Sequence, residues 1–156
     1  MKAKKIFIVI ISIITIGLIV ATAVVYGVGG GKSANAKDIE YFENSHGSYT
    51  VKSIGNCTDA RFTIDTYNGK AVTRIGIKAF KDCDTLTDVT IGNNVTTIGI
   101  GAFMGCSSLK TITISNKMTK IEPFAFYKCK NLTIRCKAGS YALIYALENG
   151  IKYEKI

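Results

Sequence analysis

The segment Ile98–Cys106 reads IGIGAFMGC; twenty-three positions earlier the chain reads IGIKAFKDC and twenty-three later IEPFAFYKC. A fixed internal period constrains the fold more than any other feature, because each unit must stack its residues beside the same residues of its neighbour. The columns are explicit: Val72, Val95 and Met118; Ile75, Ile98 and Ile121; Ala79, Ala102 and Ala125; Phe80, Phe103 and Phe126; Cys83, Cys106 and Cys129; Leu86, Leu109 and Leu132. In Leu86-Thr87-Asp88-Val89-Thr90-Ile91, strand alternation turns Val89 and Ile91 inward and Thr90 outward, and Ile112 and Ile114 repeat the pattern. One unit cannot bury its own apolar side. Stacked units form parallel strands about 4.8 Å apart around a continuous core. Gly92-Asn93-Asn94 and Ser115-Asn116-Lys117 supply turn chemistry, and Pro123 falls in a connecting stretch where no sheet N–H is needed. The fold class predicted is an α/β repeat solenoid.

The pattern V-x-x-I-[G/x]-x-x-A-F-x-x-C-x-x-L-x-x-[IV]-x-I, carried by about residues 60–137, resembles the BspA-type (Treponema-type) leucine-rich repeat of bacterial and some protist surface proteins. The resemblance implies a short leucine-rich repeat array and a non-enzymatic binding role at a cell surface, such as adhesion to a host or neighbouring cell. Residues 46–156 form the repeat domain, with clear repeats over 72–137. Asn68–Gly76 resembles the family's turn into a first full repeat. Phe62 and Ile64 alternate as a first strand, and Tyr49–Val51 read as an edge strand before it.

Beyond Leu132 the period breaks, and residues 138–156 read as a terminal cap that shields the open end of the core. Ser140 is placed as N-cap of a helix over Tyr141–Asn149, with Tyr141, Ile144, Tyr145 and Leu147 as its apolar residues and Gly150 as its stop. Ile151-Lys152-Tyr153 reads as a closing strand.

Ahead of the repeats, residues 1–5 are basic, 6–28 are a hydrophobic segment and 29–45 a linker. Ile6–Gly31 holds no charge, and Ile6–Tyr26 has the length of a membrane-spanning helix. The alternative is a long cleaved signal peptide, with candidate sites at Ala21-Thr22-Ala23 and Ala34-Asn35-Ala36, although signal cores are usually shorter. The membrane is thus an expected partner through this helix. Lys2, Lys4 and Lys5 favour an N-inside, single-pass orientation with the repeats outside the cell. Gly27–Ser33, GVGGGKS, imitates a phosphate-binding loop, but Tyr26 stands where the first glycine is required and no strand precedes it.

The residues assemble no catalytic, cofactor or metal motif. The five cysteines lack C-x₂₋₄-C pairing, and the recurrence of three of them with the period makes them small apolar core residues. Cys129 and Cys136 are the pair offered for a disulfide; Cys57 stands off the period and has no assigned place. His46, the single histidine, sits in a polar stretch with no partner nucleophile. Asp82, Asp84 and Asp88 lack the glycine and terminal glutamate of a calcium hand and read as solvated turn and strand residues.

Charge is more informative. The chain carries 20 Lys and Arg against 11 Asp and Glu. Basic and acidic residues balance over 59–92, whereas 106–140 holds seven basic residues against Glu122 alone. That half of the array is suited to anionic partners, a protein or an anionic glycan. Nucleic acid is disfavoured, since no exposed aromatic series accompanies the lysines. Outward strand positions carry no packing duty, so the candidate ligand-binding residues are Asp88, Thr90, Lys110, Thr111, Thr113, Arg135 and Lys137. The rival reading is a structural envelope protein that self-associates through its solenoid without a dedicated ligand.

Overall fold

The computed structural model describes residues 39–54, 57 and 60–156. Strands β1 (Ile39–Glu43), β2 (Tyr49–Ile54), β5 (Lys70–Ile75), β7 (Thr97–Ile98) and β9 (Lys120–Ile121) form one sheet in that order, with β4 (Thr66–Tyr67) paired antiparallel to β5. A second sheet runs β3 (Arg61–Ile64), β6 (Asp88–Ile91), β8 (Thr111–Ile114), β10 (Thr133–Cys136) and β11 (Lys152–Lys155), all parallel. Each coil of the chain therefore crosses both sheets, and the expected parallel-strand solenoid with its helix-strand cap is present.

The columns of the sequence become columns of the core. Ile75, Ile98 and Ile121 sit in register, as do Val89, Ile112 and Ile134. Phe80, Phe103 and Phe126 stack nearly parallel, with centroids 4.9 and 5.5 Å apart. Successive coils approach so closely at Gly99 that an added Cβ would lie 2.8 Å from the Gly76 carbonyl carbon, so this residue needs to be glycine.

Between the sheets the chain runs as consecutive tight turns, and their backbone groups join coil to coil. The N–H groups of Lys78, Phe80 and Asp82 donate to the carbonyls of Ile100, Ala102 and Met104 at 3.0, 2.7 and 2.8 Å. One coil later, Gly101, Phe103 and Gly105 donate to Pro123, Ala125 and Tyr127 at 3.1, 2.8 and 2.8 Å. Left-handed residues recur at fixed places in these turns: Lys78, Gly101 and Phe124, then Asp82, Gly105 and Lys128.

Several expectations are corrected. Tyr49–Val51 is not an edge: β2 is covered by β1, which occupies 39–43 within the stretch read as linker. Cys57 is disulfide-bonded to Cys83, with Cα atoms 5.5 Å apart, so Cys83 is a buried half-cystine rather than a free core thiol. The Cys129–Cys136 pair does not form, because Cys136 faces inward from β10 while Cys129 follows the turn column and donates its thiol hydrogen to the Phe103 carbonyl. Cys106 makes the same bond to Phe80, 2.9 Å long, and keeps the predicted packing role.

The cap helix α1 spans Tyr141–Glu148, with the Ser140 hydroxyl accepting from the Leu143 N–H. Its buried face is Ala142, Leu143 and Ala146, whereas Tyr141, Ile144 and Leu147, read from the sequence as its apolar residues, are exposed. Small residues let the helix lie close on the end of the core.

The hydrophobic segment 6–28 lies outside the described residues. Among the described residues no helix is long and apolar enough to cross a membrane. The expected transmembrane helix is therefore not found among the described residues, and the membrane as a partner through it rests on residues outside them.

Candidate interaction surface

The outward residues of the second sheet form two columns. The first runs Arg61, Asp88, Thr111, Thr133 and Lys152; the second runs Thr63, Thr90, Thr113, Arg135 and Glu154. The strand alternation predicted from sequence thus brings Asp88, Thr90, Thr111, Thr113 and Arg135 onto one face. Lys110 and Lys137 flank it at opposite strand ends, Lys110 entering β8 and Lys137 leaving β10. The middle of the face is a threonine ladder, which offers hydroxyl donors and acceptors on a rigid backbone.

Its charges are more nearly balanced than the sequence suggests. Arg135 is held in a forked pair by Glu154 of β11, Nε to Oε2 at 3.0 Å and Nη2 to Oε1 at 3.4 Å. Asp88 accepts from the Thr87 hydroxyl at 2.7 Å and faces Arg61 at 3.5 Å. Glu154, Lys152, Arg61, Thr63 and Thr133 belong to the face and were missed. Glu154 lies beyond the last repeat, where the period no longer gives a register; Thr133 and Arg61 could have been found by extending the strand columns. Among the described residues Lys110, Lys137 and Lys152 make no ion pair, so uncompensated positive charge lies at the margins of the threonine ladder.

The aspartates considered for calcium each have a local partner: Asp82 pairs with Lys81 at 2.7 Å and Asp84 accepts from the Ser107 hydroxyl at 2.7 Å. Among the described residues no group of three metal-binding side chains converges.

The family profile described as "BspA type leucine rich repeat region (6 copies)" matches residues 47–140, more than half of the chain. The chain belongs to the BspA-type leucine-rich repeat family. As a member it is a non-enzymatic repeat module. Solved structures agree in fold. A leucine-rich repeat protein of Treponema pallidum is 24% identical over 67% of this chain and 53% of its own, with a TM-score of 0.61. A leucine-rich repeat protein of Bacteroides capillosus is also 24% identical, over 80% of this chain and 99% of its own, with a TM-score of 0.59. A leucine rich cell surface protein of Faecalibacterium prausnitzii is 30% identical over 68% of this chain, with a TM-score of 0.54. The BspA-type chain described here spans about half the Treponema protein and covers only 30% of the Faecalibacterium one. No curated protein matches it.

Proposed function

We propose that this protein is a cell-surface binding module that holds a protein or an anionic glycan on the outward face of its five-stranded sheet. Asp88, Thr90, Thr111 and Thr113 form the contact floor, Lys110 and Lys137 supply the attraction at its margins, and Arg135 is oriented by Glu154 toward an anionic group. The observation that carries this reading is the threonine ladder with unpaired lysines at its edges. Such a surface has no packing duty, and its charges remain available for a partner. The cell-surface setting is supported by the family and by the description of the Faecalibacterium relative.

The test is surface plasmon resonance of the full chain on immobilised heparin, a sulfated glycan. Saturable binding by the monomer is expected, weakened about tenfold by Lys110→Glu with Lys137→Glu. Arg135→Gln, which removes a charge already matched by Glu154, is expected to cost about twofold. No binding by the wild type would remove the anionic-glycan reading. Affinity unchanged in the double variant would remove the sheet face as the site.

A further inference from the structure

The cap closes the solenoid incompletely. Strand β11 extends the second sheet beyond β10, and α1 lies over the core, but β9 remains the last strand of its own sheet. Between the last coil and α1 a groove of about 670 Å³ stays open, lined on one side by Pro123, Phe124, Phe126, Tyr127 and Lys128 and on the other chiefly by Tyr141, Tyr145 and Glu148. Its size is that of a ligand site.

Three main-chain N–H groups along the coil side of this groove have no protein acceptor among the described residues. In both preceding coils three alternate N–H groups of the turn donate to three alternate carbonyls of the next coil. Their counterparts in the last coil are the N–H groups of Phe124, Phe126 and Lys128. Among the described residues none of these three donates a hydrogen bond. The repeat geometry aims them where a further coil would lie, and the same three residues line the groove.

Two of the side chains there, Phe124 and Tyr127, do not serve the fold. Phe124 has φ +60°, where the preceding coil has Gly101, and a bulky residue in that left-handed region is strained. Yet Phe124 is 64% exposed, and Tyr127, packed edge-on against it at 6.1 Å, is 53% exposed. A strained aromatic that buries little of itself is accounted for by something it covers when bound.

We propose that this groove binds a polypeptide segment of a partner protein, which adds to the array as a fourth coil. Its three alternate carbonyls accept from the Phe124, Phe126 and Lys128 N–H groups, and an apolar or aromatic side chain lies on Phe124, Tyr127 and Tyr141. That the occupant is polypeptide follows from the donors themselves, since the same N–H groups in the two coils before it take peptide carbonyls at the same alternate spacing. The lining holds one cation, Lys128, and one carboxylate, Glu148, so recognition rests on the main-chain donors and the aromatic rings rather than on net charge. A second copy of this chain stacked end to end does not fit, because the β1–β2 hairpin already covers the first coil, with the Ile54 N–H on the Ala79 carbonyl at 2.9 Å. The groove is separate from the threonine face of the second sheet, and either site can fail without the other.

The experiment selects a phage-displayed library of linear peptides on the full chain, then titrates the recovered synthetic peptide into ¹⁵N-labelled protein. The expected result is an enriched sequence with an apolar or aromatic residue, moving the Phe124, Phe126 and Lys128 amide resonances downfield together. Phe124→Ala with Tyr127→Ala is expected to weaken that peptide at least about tenfold while the spectrum stays dispersed. Three results would overturn the proposal: no enriched peptide, shifts that map to the threonine ladder, or an affinity unchanged in the double variant. Heparin moving these amides where no peptide does would overturn it too, by making the site one for glycans.

Discussion

At the scale of single residues the stability of this protein is concentrated in its columns, and the phenylalanine column shows it most directly. Phe103 is fully buried and has a ring on each side, whereas Phe126 closes the stack and meets Tyr145 edge-on at 6.0 Å. Removing a buried ring costs its transfer free energy and leaves a cavity that rigid neighbours cannot fill. Phe103→Ala is therefore expected to lower the free energy of urea unfolding by about 3–5 kcal/mol, and Phe126→Ala by clearly less. Equal losses at the two positions would mean that the rings act only as filler and that their stacking contributes nothing.

What the sequence reveals at this scale depends on the period. Phe80, Phe103 and Phe126 could be placed because three copies vote for one position. Cys57 has no copy, so its bond to Cys83 could not be seen, and the periodicity of Cys83 argued for a free thiol instead. Arg135 was read correctly as outward, but its partner Glu154 belongs to a strand that repeats nothing.

At the scale of elements, the two ends of the solenoid solve the same problem with different residues. The C-terminal cap was legible as a helix from its cap and stop residues. Its buried face was misread: Ala142, Leu143 and Ala146 turn inward, and the two alanines are small enough to let the helix lie close on the core. The N-terminal end is closed by the β1–β2 hairpin, whose Tyr41 ring stacks on Tyr67 at 3.9 Å and meets Tyr49 edge-on at 6.3 Å. Strand β1 escaped notice because five residues of alternation outside the repeat resemble many linkers.

Burial pushes the Tyr41 phenol up to about 12 from the usual 10.0, with the neighbouring Tyr67 adding to the effect. The folded state thus holds this proton more tightly than the unfolded chain does. The stabilisation is complete below the unfolded value and is lost as pH rises from 10.0 towards 12. Over that window the urea midpoint should fall by the equivalent of roughly 2–3 kcal/mol. Tyr41→Phe should flatten most of the decline. A decline of the same depth in that variant would place the responsible group elsewhere.

At the scale of the whole molecule, a solenoid is a sum of units and interfaces, and its coils are interchangeable only in register. The sequence period and the strand pairing agree on that register: Val89 faces Ile112, and Ile112 faces Ile134, about one period apart each time. Deleting residues 93–115 removes one complete period and would set the first coil directly on the last. Phe80 would then stack on Phe126, Ile75 would face Ile121, and the turn donors of Lys78, Phe80 and Asp82 would find the carbonyls of Pro123, Ala125 and Tyr127. Each interaction broken at the junction is remade with a residue of the same column, and both caps keep their neighbours. The shortened chain should fold with the same circular dichroism signature and a single unfolding transition, less stable by on the order of one coil's buried apolar surface, a few kcal/mol. Deleting 93–112 instead shifts the incoming strands by three residues and reverses which side chains face the core. That chain should not fold. If the two deletions behaved alike, the columns would not be what holds the coils together.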